Sequence, residues 1–249
     1  AVVISIIFAL LIGAFLIGKG STGFAFVMLS SVIGMVFVVV VGNIPFLGGY
    51  MGITKVPRPD PITLPFLPVI SFDSKSSFFY LALFLLAVIL LVISAFYSAW
   101  TGRAWSAIGL NSKLAQSIGI DLFKYKLMAF VVASAIAGLI GSFFAHYEGF
   151  VIPTTYDMFT NIYIQIYAIL GGVGFAILGP LLGAAVMTFF PEAFRAFREY
   201  SPIFTGVILV LLIMFLPTGL LSIWTMITKA RENRRGKAPD TAVSSTTVN

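Results

Sequence analysis

The chain of 249 residues is 59% hydrophobic and only 10% charged, and its mean hydropathy is +1.06. A soluble domain carries about a quarter charged residues, so the composition excludes an ordinary soluble protein. The net charge of +6 is typical of cytoplasmic loops that face anionic lipid, and we do not interpret it as nucleic-acid binding. Because the chain has no cysteine, disulfides, thiolate metal sites and cysteine nucleophiles are excluded.

Six hydrophobic blocks predict the membrane-crossing helices. In chain order they cover residues 2–18, 24–41, 78–100, 127–145, 161–190 and 203–224. A helix needs about 20 apolar residues to cross a bilayer, and four of the blocks lie within uncharged stretches of at least 27 residues. The prediction is an all-α fold, a polytopic transmembrane helical bundle.

The fifth block is interrupted by glycines and a proline, and the charge distribution indicates how often it crosses. The basic loop 101–126 and the basic segment 229–249 are both predicted to be cytoplasmic. An even number of crossings must separate them, which predicts a pair of short helices turning near residues 172–174. The scheme has seven crossings in a plasma or inner membrane, with Ala1 outside and the C-terminus in the cytoplasm.

Two loops and a tail complete the predicted organisation. Residues 1–228 form the transmembrane domain, and residues 229–249 are predicted to be a disordered cytoplasmic tail. The external loop 42–77 is rich in proline, which favours extended or turned backbone. Gly48, Gly49 and Gly52 mark tight turns within it.

Two groups of residues resemble parts of catalytic or metal-binding motifs, and neither indicates an enzyme. Residues 13–19 match the first seven positions of a nucleotide-binding P-loop, but Gly20 stands where Ser or Thr would hold magnesium. His146, Glu148 and Asp157 match no metal-binding spacing, so we interpret them as solvated residues at the membrane surface, with a proton relay as the alternative. Neither group therefore predicts a metal or cofactor site, and we do not expect the chain itself to hydrolyse ATP.

The loop 101–126 contains a helical pattern. Near one stripe lie Trp105, Ile108, Ser112, Ala115 and Gly119. The pattern predicts one short amphipathic helix over residues 103–120, ended by Gly119. Such a helix is too short to span a bilayer. It rests on the lipid surface or docks into the groove of a soluble partner.

Small residues accumulate in the fourth and fifth blocks. Those of the fifth block, with its proline, are Gly171, Gly172, Gly174, Gly179, Pro180 and Gly183. One interpretation is the close packing of membrane helices that small residues permit. The other is a broken helix that lines a substrate path, where irregular backbone is tolerated.

Several linked motifs point to a known family. They are Leu-Gly-Gly-Tyr-Met-Gly-Ile at 47–53, Gly-Arg-Ala-Trp-Ser-Ala-Ile at 102–108, Ser-Ile-Gly-Ile-Asp at 117–121, Tyr-Lys-Leu-Met-Ala-Phe at 125–130, Ser-Ala-Ile-Ala-Gly at 134–138, Gly-Gly-Val-Gly at 171–174, Gly-Pro at 179–180 and Phe-Leu-Pro-Thr-Gly-Leu at 215–220. In order and spacing they resemble the permease subunit of branched-chain amino acid ABC transporters, of the LivM type. The resemblance covers most of the chain from about residue 24.

The resemblance implies an importer of branched-chain or other hydrophobic amino acids, driven by ATP hydrolysis on partner chains. The implied partners are a second related permease, two cytoplasmic ATP-binding subunits and an extracytoplasmic substrate-binding protein. The residues implied to couple to the ATPase are Arg103, Trp105, Ala107, Ile108, Lys113, Ala115, Gly119 and Ile120. The six fifth-block residues would lie on the translocation path, and no substrate-contacting residue is assigned. Since family members have further N-terminal helices, we expect this chain to lack them.

The chain departs from the family after Ile108. Where the family usually carries an arginine and then acidic residues, this sequence has Gly-Leu-Asn-Ser at 109–112. The coupling surface is then less charged, or the ATPase partner differs. A lever-like motion of the 103–118 helix would make Ala115→Glu uncouple ATP hydrolysis from uptake. The alternatives are a urea or short-amide ABC permease and an ATP-independent secondary transporter.

Overall fold

The computed structural model describes residues 1–20, 23–57, 75–156, 158–172, 177–193 and 206. The chain divides into two compact units, residues 1–162 and 163–249. The sixth hydrophobic block (apart from residue 206), the proposed tail and the second half of the external loop lie outside the described residues.

Helices make up nearly all of the described chain, which confirms the predicted all-α class. They are α1 Val2–Gly18, α2 Phe24–Gly42, α3 Lys75–Ser98, α4 Trp100–Leu110, α5 Ser112–Ser117, α6 Leu122–Glu148, α7 Met158–Gly171 and α8 Leu178–Ala193. Short 3-10 turns cover Pro45–Leu47, Gly49–Met51 and Pro153–Tyr156.

Three of these helices are long and apolar enough to cross a membrane, judged by length and composition. They are α2 from Ala25, α3 and α6, while α1 and the Leu178–Phe189 part of α8 are apolar but shorter. Many large apolar side chains of these helices, for example Leu11 and Leu91, lie on the outer surface of the chain. Such exteriors are expected where lipid rather than water surrounds the helices.

Helices α1 and α6 pack against each other in antiparallel directions. A Cβ added to Gly13 would lie 2.8 Å from Phe130 Cδ1, and one added to Gly138 would meet Ser5. Glycine at these positions therefore lets the two backbones approach closely. The P-loop-like residues 13–19 begin inside α1, so they form part of a packed helix and not a phosphate-binding loop.

Ring contacts show how the remaining long helices align with α6. The ring centre of Phe78, near the start of α3, lies 5.6 Å from that of Tyr147 near the end of α6. The ring centre of Phe26, near the start of α2, lies 5.5 Å from that of Phe130 in the first half of α6. The turn after α1 and the α4–α5 segment therefore lie at one end of the first unit. The loop after α2 and residues 148–156 lie at the other end, in the alternating arrangement that the charge pattern predicts.

Helix α6 extends beyond its hydrophobic block at both ends. Helix α6 covers Leu122–Glu148, where hydropathy indicates 127–145, because polar residues continue the hydrogen-bond ladder outside the apolar stretch. The side chain of Asp121 caps its start by accepting from the Lys124 backbone N–H at 3.1 Å. Gly149, at φ +76°, ends it in a left-handed conformation.

The described part of the loop predicted to be external is folded against the end of α6, and its glycines form the expected tight turns. Ile53 and Val151 exchange two backbone hydrogen bonds of 2.9 Å, as an isolated antiparallel bridge. Gly52 has a φ of +71°, and a Cβ there would collide with the Val151 carbonyl oxygen. The His146 ring lies 2.8 Å, through Nδ1, from the Pro57 carbonyl oxygen.

Candidate coupling site and glycine-packed helix pair

Helix α4 is held against its neighbours by one tryptophan. The indole N–H of Trp105 donates to the Tyr125 carbonyl oxygen of α6 at 2.8 Å. Its ring stacks on Phe96 of α3, with centroids 6.2 Å apart. A buried indole gains from having both an apolar surface and a partner for its N–H, so Trp105 fixes α4 to two membrane helices.

Gly102 lets α4 begin directly after α3. The residue is buried, and an added Cβ would collide with the Tyr97 backbone. Between the two helices Ala99 is extended, with ψ of 175°, and the Thr101 hydroxyl donates to the Phe96 carbonyl at 2.9 Å. The motif contains Gly102, but the sequence pattern did not indicate this close backbone contact.

The prediction of one helix over residues 103–120 is wrong, because the segment is broken at Asn111. This residue is extended, with φ −158° and ψ 105°. Its side-chain oxygen accepts from the backbone N–H groups of Lys113 and Leu114, both at 3.1 Å. Asparagine favours such capping bonds over a helix interior, so α4 and α5 are separate helices and do not form one rigid lever.

Gly119 ends α5, as the pattern predicts. Its φ is +89°, a conformation that glycine adopts without strain. The Gly119 N–H donates to the Gln116 carbonyl at 3.0 Å, and the Ile120 N–H to the Ala115 carbonyl at 3.1 Å. This pair of bonds is the Schellman arrangement of a helix C-terminus, and it leads within three residues into α6.

The residues expected to couple to an ATPase divide by exposure. Arg103, Lys113 and Gly119 are exposed, Trp105, Ala107 and Ile120 are half-buried, and Ile108 and Ala115 are buried. Ala115 is only 2% exposed. A charge at this position would therefore disturb the packing of α5 before it could affect a partner, so Ala115→Glu does not isolate coupling from folding.

Three apolar residues beside the predicted stripe are exposed instead. Leu110 is 90% exposed, Leu114 63% and Ile118 68%. Leu114 lies in α5 and Ile118 follows one turn later as its C-cap residue, on the same side, whereas Leu110 ends α4 on the other side of the break at Asn111. The predicted stripe includes buried Ile108 and Ala115 and packs against the chain itself, so the sequence pattern did not identify these exposed residues.

The predicted pair of short helices is present, and all of it from residue 163 onward belongs to the second unit. Helix α7 ends at Gly171 and α8 begins at Leu178, so the break falls close to the predicted turn near residues 172–174. A Cβ on Gly171 would collide with the Gly179 carbonyl and lie 3.0 Å from the Gly183 nitrogen. The two backbones therefore touch directly.

The structure also defines the positions of Gly172 and Pro180, two further members of the glycine-and-proline group of the fifth block. Gly172 has a φ of +113°, and exposed Pro180 lies in the first turn of α8, where its missing N–H costs no helical bond. Gly174 lies outside the described residues, as does Asp157. Among the described residues no three metal-ligating side chains form a group.

Burial raises the pKa of the Tyr156 hydroxyl, and the nearby Glu148 carboxylate raises it further. The folded state thus holds this proton at pH values where the unfolded chain has lost it, so stability falls as pH rises above about 10. We expect Glu148→Gln to lower this pKa only partly, because burial is the larger cause. Ultraviolet titration of the variant, with Tyr156→Phe as the blank, measures the change. A full return to the ordinary value would contradict this order of causes.

Comparison with known proteins shows which family the chain is similar to. The family model described as "Branched-chain amino acid transport system / permease component" matches residues 1–217. The high-affinity branched-chain amino acid transport system permease protein LivM of Escherichia coli is 31% identical over 206 residues, 75% of this chain and 48% of that protein. The LivM of Salmonella typhimurium matches equally.

The permease protein LivH of Escherichia coli, from the same kind of transport system, is 28% identical over 138 residues, 55% of this chain and 44% of LivH. The chain spans about half the length of the curated relatives it matches. No solved structure matches it significantly. With the family model covering most of its length, the chain belongs to the permease family of branched-chain amino acid transport systems.

Proposed function

We propose that this chain acts as a membrane-spanning permease subunit of an ABC importer for branched-chain or other hydrophobic amino acids. Membership of the permease family supports this, as do the apolar helices of the described fold. The chain itself is a transport subunit, and ATP is hydrolysed on separate partner subunits. The observation that carries the proposal is a short α5 that is capped at both ends and exposes apolar side chains.

Leu110, Leu114 and Ile118, which we call the exposed row, form the proposed contact with an ATP-binding subunit. Burying one such side chain contributes about 1.5–3 kcal/mol, so three provide a substantial apolar contact without charged partners. This agrees with the uncharged Gly-Leu-Asn-Ser at residues 109–112. Arg103, whose guanidinium lies 5.1 Å from the Trp100 ring centre, and Lys113 would form the polar rim of this contact.

The α7–α8 pair is the proposed wall of the translocation path. With 14 and 16 residues, the helices are about 21 and 24 Å long, shorter than a hydrocarbon core of about 30 Å. Broken helices of this kind occur in transporters where backbone borders a cavity. Gly171, Gly172, Gly179 and Gly183 would keep that wall thin.

The proposed partners are a second related permease, two cytoplasmic ATP-binding subunits and an extracytoplasmic substrate-binding protein. Relatives include both a LivM and a LivH permease protein, which supports a complex of two related permeases. Both relatives belong to branched-chain amino acid transport systems, which favours branched-chain amino acids over urea or short amides as the substrate.

Purification of the tagged full-length protein in mild detergent, followed by mass spectrometry of its partners, tests the proposal. We expect two P-loop ATPase chains and a second permease. Recovery of the chain alone in several detergents, together with uptake by vesicles that lack ATPases, would instead establish the secondary transporter.

Single-cysteine labelling tests the proposed orientation, and the cysteine-free sequence provides a clean background. We expect a membrane-impermeant maleimide to label Thr154→Cys in intact cells, because Thr154 is exposed at the end predicted to be external. Gly236→Cys, in the basic C-terminal segment, should react only after permeabilisation. The opposite pattern would reverse the assignment of the two sides.

A further inference from the structure

A groove of about 470 Å³ lies at the α4–α5 end of the first unit. Its lining includes Ile17 and Gly20 at the end of α1, Gln116 of α5, and Asp121, Phe123 and Lys126 at the start of α6. The volume is within the range of small-ligand sites, roughly 300–1,000 Å³. Gly119 and Ile120, which are among the residues expected to couple to an ATPase, also line the groove, but Asp121 and Lys126 have no role in the proposed coupling contact or translocation path.

The groove carries one charge of each sign. Asp121 and Lys126 are its charged lining residues, and neither is joined in an ion pair to another of the described residues. In the Asp121 carboxylate, Oδ1 accepts the capping hydrogen bond from the Lys124 N–H. The second oxygen, Oδ2, is therefore available to accept a hydrogen bond from a ligand. Nearby Lys19 places its ammonium over the Phe15 ring, 4.6 Å from the centre, and does not line the groove. A ligand that suits this groove carries both an anionic group and an ammonium.

The position of the groove adds an apolar requirement. It lies where α1 ends and α6 begins, beside the apolar spans, and Ile17, Leu122 and Phe123 are part of its wall. It is open on one side. Free small molecules bind where most of their surface is buried, whereas a membrane lipid leaves only its headgroup in such a groove and keeps its chains in the bilayer.

We propose that this groove binds the headgroup of a zwitterionic phospholipid with a primary ammonium, of the phosphatidylethanolamine type. The lipid phosphate pairs with the Lys126 ammonium, and the lipid ammonium donates to the free oxygen of Asp121. Charge-assisted hydrogen bonds of this kind are stronger than neutral ones. The bound lipid occupies the space between α5, α1 and α6. The proposal does not depend on what the protein transports.

Native mass spectrometry of the full chain in mild detergent tests it, with phosphatidylethanolamine, phosphatidylglycerol and phosphatidylcholine of identical acyl chains as probes. We expect phosphatidylethanolamine to bind about fivefold more tightly than the other two, the factor expected for one partly exposed ion pair. Asp121→Asn preserves the helix cap and removes the negative charge, so the order of affinity should reverse in favour of phosphatidylglycerol.

Lys126→Gln provides a second, independent variant, which should weaken binding of all three lipids about fivefold. Lys124→Gln is the matched control, because this lysine is a near neighbour whose side chain is exposed and does not line the groove. Its affinities should equal those of the wild type. An unchanged order of affinity in Asp121→Asn, or unchanged affinities for all three lipids in Lys126→Gln, would overturn the proposal. Displacement of the lipid by free leucine would also overturn it, since the ligand would then be an amino acid.

Discussion

Gly171→Ala is expected to destabilise the protein by about 2–3 kcal/mol, the range for a side chain forced into a packed interior. The added methyl group would collide with the Gly179 carbonyl and lie 3.0 Å from the Gly183 nitrogen. Because both are backbone atoms, no side-chain rotation can relieve the contact, and α7 and α8 must separate. For a protein of this size, thermal unfolding in detergent should show a Tm lower by roughly 5–10 °C.

Gly141→Ala is the matched control for this substitution. Gly141 also lies within a membrane helix, but a Cβ there meets nothing within 4 Å on this chain. Alanine is intrinsically better than glycine in a helix by about 1 kcal/mol, so this variant should melt at or above the wild-type temperature. Equal melting of wild type, Gly171→Ala and Gly141→Ala would show that the close contact between α7 and α8 is absent from the folded protein.

Leu114→Glu is expected to reduce ATP-driven uptake at least about tenfold, while the amount of protein in the membrane stays unchanged. Leu114 is 63% exposed, so a carboxylate is tolerated in the chain alone. At an apolar contact the same carboxylate loses its water without gaining a partner, and truncation or disruption of a central contact residue costs about 2 kcal/mol or more. Uptake into reconstituted vesicles and co-purification of the ATPase measure the two parts of this effect.

Two neighbouring substitutions separate coupling from folding. Gln116→Glu adds the same charge on the opposite side of α5, where it borders the groove and not the coupling contact, and it should leave co-purification of the ATPase within about twofold. Ala115→Glu buries the charge and should reduce the amount of folded protein, since Ala115 is 2% exposed. Normal uptake by Leu114→Glu would remove the exposed row from the coupling contact.

Hydropathy and charge predicted much of the fold because both report directly on the membrane. Helix α1 has the predicted bounds 2–18, and the parity of the basic segments indicated that the fifth block contains two helices. Helix ends were less predictable. The ladder of α6 continues to Leu122 and Glu148, where capping by Asp121 and Gly149 decides the limits and apolarity does not.

The coupling segment was harder to predict, for two physical reasons. Asn111 can continue a helix or cap the next one, and the sequence pattern does not distinguish these two states, whereas in the structure its side chain caps α5. An amphipathic pattern also does not reveal which side of a helix packs against its own chain and which side faces a partner. In a chain whose apolar side chains occur on every surface, burial of Ala115 and exposure of Leu114 follow from tertiary packing.

The break at Asn111 determines how a mechanical load would travel through the chain. Helix α5 has six residues and is about 9 Å long, and one extended residue joins it to α4. Rotation about the two backbone dihedrals of Asn111 can absorb a displacement of α5 on that side. On the other side the Schellman bonds of Gly119 and Ile120 pass directly into the cap of α6. A displacement of α5 therefore passes into the start of α6, where the Trp105 hydrogen bond to Tyr125 also holds α4.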